Sequence, residues 1–408
     1  MLHKLTTAIL ITSALGLSGC AADDAQQTES VKYAIAERGP FSSALDQVEI
    51  AKVMQANADW MLANNKNYFI GKTDDDIKFD YDPKGWIKAA MYVGMMHWVK
   101  MQENPTESKY YAFMKEIGKG NQWDIAHRPK HADDQAVSQS YMDLYTLEGG
   151  EDKLATVRAK FDKIIVENPD NPLTFPQWDW MTDLGYGCAD RWCWADAIYM
   201  APPAWLQLAQ VTGDNKYLDY GMKEFWATTD FLWNEEDSLY FRDSRYFEMK
   251  EPNGEGVYWS RGNGWVFAGI ARMLQFLPED HKTRPYLIDI FQKMAKRLAG
   301  IQRKDGFWPS SLLDPAKFTN PETSGTAFFV YGMAWGVNNG LLELPQYQDN
   351  ISRGWDALVG SIHSDGMIGY VQEVGKDPQG TNFNSTELFA VGGFLQAGAE
   401  MHKLAGKL

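Results

Sequence analysis

The chain has 408 residues, with 54 acidic against 39 basic side chains and a formal charge of −15. Its length allows one large domain or two to three ordinary ones, and its acidic balance disfavours nucleic acid and anionic membrane surfaces as partners. Aromatic residues reach 13%, including 16 Trp, a supply of apolar faces suited to the C–H-rich sides of sugar rings.

Residues 1–19 read as an export signal: Lys4 provides a basic start and Ala8 to Leu17 a short apolar run, too short to span a bilayer. Leu17-Ser18-Gly19-Cys20 resembles the lipobox of bacterial lipoproteins. Cys20 is then the expected lipidation site, and its lipid anchor the expected contact with a membrane. Ala21 after it points to an outer-membrane lipoprotein of a Gram-negative bacterium, on the periplasmic side or the cell surface. An ordinary secretory signal is the plainer reading. Residues 20–45 are polar enough to act as a tether.

From residue 46 to 408 the apolar spacing is mostly helical, as in Val266, Ile270, Met273, Leu274 and Leu277. Turn signals such as Thr212-Gly213-Asp214-Asn215 and Lys304-Asp305-Gly306 separate the runs. Strand-like alternation is confined to Leu239–Arg242 and Met367–Val371. Roughly one helix per 30 residues predicts about twelve, and no long Gly/Pro linker divides them. The expected fold is all-α: a six-hairpin (α/α)6 barrel whose loops line a cleft at one end. The oligomeric state is left open.

His131-Ala132-Asp133-Asp134 precedes the helical run from Tyr141. Acidic pairs often cap helices; alternatively, one of these carboxylates faces a second across a cleft. That second group is Asp196, within Arg191-Trp192-Cys193-Trp194-Ala195-Asp196-Ala197-Ile198-Tyr199. A carboxyl among aromatic rings loses hydration, its pKa rises, and it can deliver a proton at neutral pH. Pro202-Pro203 should break the helix near Ala201 and leave Asp196 on a short piece near a mouth. A structural aspartate beside core tryptophans is the alternative. Cys188 and Cys193 stand beside it with four residues between them, as a disulfide or as two buried thiols. No suitably spaced His joins them in a zinc site.

Tyr258-Trp259-Ser260-Arg261-Gly262-Asn263-Gly264-Trp265 opens the next helix. Asn263 and the glycines let backbone approach a ligand, Arg261 offers a planar fork to a carboxylate, and Trp265 a stacking face. A turn with Arg261 in a structural ion pair is the alternative. No nucleophile elbow, phosphate loop, dinucleotide fingerprint or convincing metal spacing is present.

Together Trp194-Ala195-Asp196, Trp259-x-Arg261-Gly262-Asn263-Gly264-Trp265, Glu322-Thr323-Ser324-Gly325-Thr326 and Gly392-Gly393-Phe394-Leu395-Gln396 resemble glycoside hydrolase family 105, with family 88 more distantly similar. The resemblance implies an (α/α)6 barrel that needs no metal or organic cofactor and releases a 4,5-unsaturated uronic acid from lyase-derived oligosaccharides. Asp196 matches the general acid/base, and Asp133 the second aspartate, with Asp134 as the alternative. Trp194, Arg261 and Trp265 match substrate-binding positions; His131, Asp134, Arg242 and Asn263 are further substrate-binding candidates. Arg242 stands where family members often carry His, and Leu184-Gly185-Tyr186 where many have a His-Lys pair. Arg242 and Arg245 are candidates for holding a sulfated neighbouring sugar. Two other readings compete: an inverting hydrolase of saturated glycosides using Asp133 and Asp196, and a surface lipoprotein that binds glycans without catalysis.

Overall fold

Helical periodicity becomes two kinds of helix, and the difference arranges the fold. The computed structural model describes residues 38–65, 68–69, 78–79, 81–175 and 187–408. The signal segment, Cys20 and Leu184-Gly185-Tyr186 lie outside the described residues. In chain order the helices are α1 (Gln47–Asn64), α2 (Trp86–Met101), α3 (Lys109–Gly120), α4 (Ala132–Gln135), α5 (Ser138–Glu148), α6 (Asp152–Glu167), α7 (Ala197–Met200), α8 (Pro202–Thr212), α9 (Asn215–Leu232), α10 (Ser260–Phe276), α11 (Arg284–Ile301), α12 (Thr323–Asn338), α13 (Leu344–Val359) and α14 (Leu388–Ala405). Apart from the single-turn α4 and α7, twelve long helices are present among the described residues.

Helix α11 buries Leu287, Ile290, Phe291, Met294, Ala295 and Leu298, one stripe at helical spacing with a solvated opposite face. Helix α10 instead buries 15 of its 17 residues, and α12 buries 14 of 16. A helix apolar all round belongs inside a larger assembly. Accordingly α2, α5, α8, α10, α12 and α14 touch in sequence, and α14 closes on α2. Helices α3, α6, α9, α11 and α13 pack outside their hairpin partners, and α1 packs on α14 and α2. This is the expected (α/α)6 barrel.

Closure brings backbones together. A Cβ on Gly94 would lie 2.2 Å from the Gly392 carbonyl oxygen, and one on Gly392 2.2 Å from that of Ala90. Only glycine permits that approach.

The helix breaks at Ala201, and α8 starts at Pro202. Leu239–Tyr240 forms strand β4, paired antiparallel with β3 (Trp233–Asn234); β1 (Tyr68–Phe69) and β2 (Lys78–Phe79) form a second short hairpin. Residues 38–45 lie against the helical domain. The Gly39 N–H donates to the Ile362 carbonyl at 2.7 Å, and the Ser43 hydroxyl to Asp356 Oδ1 at 2.6 Å.

Candidate active site

The N-terminal ends of the inner helices meet at one end of the barrel. Trp86 of α2 stacks on Phe389 of α14 at 5.5 Å and meets Trp265 of α10 edge-on at 6.2 Å. His131, which caps α4 ahead of α5, lies 4.7 Å from the Trp194 ring, ahead of α8. Helix N-termini carry partial positive charge, so this end can favour an anion despite the acidic total.

Asp196 sits at the start of α7, just ahead of the proline break. It is 9% exposed, and burial raises its pKa against the opposing fields of Arg242 and Arg261. Its Oδ2 lies 3.7 Å from Arg242 Nε, and neither atom has a hydrogen-bond partner among the described residues. Asp133 is pushed up to about 7, chiefly by burial, with Asp134 and Asp196 adding to the rise and Arg128 opposing it. Burial drives His131 well below its ordinary value, so its imidazole is neutral at pH 7. Trp86, Arg128, His131, Asp133, Phe175, Trp194 and Arg242 line a cavity of about 160 Å³. That lies below the roughly 300–1,000 Å³ of drug-sized pockets and suits one sugar ring. A second recess of about 230 Å³ adjoins it, sharing Trp86 and Arg128 and adding Tyr81, Ile87 and His127.

The segment carrying Asp196 is held from several sides. Cys188 and Cys193 form a disulfide, which settles the question left open by their spacing. The turn they close is pinned by Lys130 on Asp190 at 2.7 Å and Arg191 on Glu224 at 3.0 Å. Trp192 takes a left-handed conformation, φ 57°, and its carbonyl accepts the Thr228 hydroxyl at 2.8 Å. The Ala195 N–H donates to the Arg242 carbonyl at 2.8 Å, which ties the loop after β4 to the acid.

Several candidate ligand residues also hold the framework. Asp134 is clasped by Arg128, which donates its backbone N–H at 2.7 Å and its Nη2 at 2.6 Å. Asn263 binds Tyr240 and the Trp259 carbonyl. Trp265 is 1% exposed and packs on Phe328 and Tyr199 behind Trp86. Arg261 has no exposed surface; it donates to the Gln372 carbonyl at 2.6 Å and the Glu373 carbonyl at 2.9 Å, between the rings of Trp259 and Phe389. For Asn263, Trp265 and Arg261 some partners come from distant chain segments that local spacing does not reveal, whereas Arg128 stands six residues before Asp134. Arg245 pairs with Asp243 at 2.9 Å and lies over Phe175. Trp86, Arg128 and Phe175 went unremarked in the sequence; Gly85-Trp86 at a helix start and an arginine three residues before His131 were the available signals, and Phe175 offered none. Among the described residues, no three His, Cys, Asp or Glu side chains form a metal-binding group.

An (α/α)6 barrel with two carboxyls of raised pKa, a neutral histidine and aromatic walls around a ring-sized cavity defines a carbohydrate-active hydrolase class. Residues 53–405 match the model of Glycosyl Hydrolase Family 88. An unsaturated 3S-rhamnoglycuronyl hydrolase of Alteromonas sp. (strain LOR) is 36% identical over 405 residues, 97% of each chain. A solved structure described as a polysaccharide lyase is 31% identical with a TM-score of 0.74, covering 89% of this chain and 99% of that one. A family 88 glycosyl hydrolase from Bacteroides vulgatus is 28% identical with a TM-score of 0.73, over 88% and 99%. The chain belongs to Glycosyl Hydrolase Family 88, and possible family 105 members share its fold. It is a glycoside hydrolase.

Proposed function

We propose that this chain removes a 4,5-unsaturated uronic acid from the non-reducing end of lyase-derived oligosaccharides by hydrating the C4=C5 enol ether. The observation that carries this reading is Asp196: a buried carboxyl of raised pKa beside a cationic arginine that lines a cavity sized for one ring. Protonated Asp196 gives its proton to C4, leaving an oxocarbenium-like centre at C5. Water adds at C5 and returns a proton to the ionised Asp196. The hemiketal at C5 opens, and the hemiacetal left at C1 expels the aglycone. One carboxyl acts as acid and then base, a sequence that a pKa near neutrality favours. Glucuronyl and galacturonyl residues converge on one substrate, because the double bond removes the C4 stereocentre.

The Alteromonas relative's description supports a 3-sulfated rhamnose as the neighbouring sugar. The recess walled by Tyr81, Trp86 and Ile87 has the apolar surface that a 6-deoxy sugar presents. Export and lipidation at Cys20 complete the proposal, supported by Leu17-Ser18-Gly19-Cys20 and placing the enzyme on the outer membrane. Cys20→Ser should release the protein from the membrane fraction.

Incubation with lyase-generated oligosaccharides that carry an unsaturated uronate on 3-sulfated rhamnose tests the activity through the near-ultraviolet absorbance of the C4=C5 bond. That absorbance should disappear; if it stays unchanged, the reading fails. A lyase, as one neighbour is described, would instead raise the absorbance of intact polysaccharide.

A further inference from the structure

The carboxylate of an unsaturated uronate hangs from C5, next to the carbon that receives the proton. Its receptor must therefore stand within a few ångströms of the proton donor. Three buried or half-buried arginines surround the site, and they differ in the donors they have left. Arg261 gives two N–H groups to main-chain carbonyls, is covered on both faces by aromatic rings, and has no exposed surface. Substrate reaches it only by breaking that packing. Arg128 gives Nε, Nη2 and its backbone N–H to Asp134.

Arg242 is different. It lines the cavity with 15% of its side chain exposed. Of the five N–H donors of a guanidinium, one is engaged among the described residues: Nη1 donates to Asp243 Oδ2 at 2.6 Å. Its Nε faces Asp196 at 3.7 Å, too far for a hydrogen bond. Asp243 is fully buried and also paired with Arg245. With Asp196 in its acid form, Arg242, Arg245 and Asp243 leave one positive charge there, the complement of one carboxylate.

We propose that Arg242, rather than Arg261, receives the carboxylate of the terminal uronate and fixes C4 against Asp196. The proposal rests on the hydrolase reading above. It assigns Arg242 to the terminal sugar, and not to the sulfate-binding role that Arg242 and Arg245 suggested in sequence.

The test compares an unsaturated disaccharide with its methyl ester, for the wild type, Arg242→Gln and Arg242→Lys, following loss of C4=C5 absorbance. Wild-type enzyme should prefer the free acid. Arg242→Gln should lower kcat/KM on the acid by on the order of 100-fold, as expected for losing one partner of a buried charge pair, and on the ester only slightly. Arg242→Lys, which keeps the charge without the fork, should fall between. Equal losses on both substrates, or a wild type indifferent to esterification, would overturn the assignment. Turnover with equal losses rejects only the role of Arg242, whereas a wild type inert toward both substrates rejects the hydrolase reading itself. The wild-type acid/ester comparison and Arg242→Lys keep the test decisive if Arg242→Gln does not fold.

Discussion

Asn263 holds both backbone groups of Tyr240: its Oδ1 accepts the Tyr240 N–H at 2.8 Å, and its Nδ2 donates to the Tyr240 carbonyl at 3.0 Å. Tyr240 ends β4, two residues before Arg242, so α10 sets where that arginine stands. Asn263 is thus a positioning residue. Asn263→Ala leaves buried main-chain groups unpaired, and the melting temperature should fall by the equivalent of roughly 1–3 kcal/mol. The preference for free acid over methyl ester should also shrink. A lower melting temperature with the preference intact would confine Asn263 to support of the fold.

Asp196→Asn replaces the proton donor with a neutral group of the same shape. Turnover should fall by about 10²–10⁴, while calorimetry finds substrate still bound. Near-normal turnover would remove Asp196 from the mechanism. In the wild type, kcat should decline as pH rises through the raised pKa of Asp196, because the first step needs its acid form.

Asp133 makes stability depend on pH with a defined sign. It titrates at about 7 in the fold and at roughly 3.9 in an unfolded chain. Between those values the native state holds the extra proton, so stability declines as pH rises from about 4 to about 7. Asp133→Asn should therefore raise the melting temperature most at pH 8, with the gain vanishing toward pH 4. A gain independent of pH would contradict burial of a titrating Asp133.

Arg261→Lys keeps the charge but cannot serve two carbonyls while stacking between two rings. Stability should fall by roughly 3–5 kcal/mol, the scale of a broken buried charged contact, and turnover of acid and ester should fall together. Selective loss on the acid would return the carboxylate clamp to Arg261.

Much of this architecture was legible in order along the chain. The helical habit, the break at Pro202-Pro203 and the aromatic setting of Asp196 depend on spacing within a few residues, and spacing is what a sequence displays; the number of helices followed from length. Candidate ligands were harder. Arg261, Asn263, Trp265 and Asp134 have the residue types that binding requires, and the same donors, acceptors and rings also serve a fold. Which use prevails depends on partners such as Gln372, 111 residues from Arg261, and Tyr240, 23 residues from Asn263.

An all-α chain with a desolvated acid ahead of a proline break follows from residue order alone, because helical period, proline geometry and aromatic neighbours are local properties. Tertiary structure decided the rest. Closure of α14 on α2 gathers helix N-termini at one end of the barrel and brings Trp86, Arg128 and Phe175 from distant segments to the cavity. It buries Arg261 in the framework and leaves Arg242 beside Asp196. A guanidinium's role follows from which of its donors are already engaged, and only the folded chain settles that.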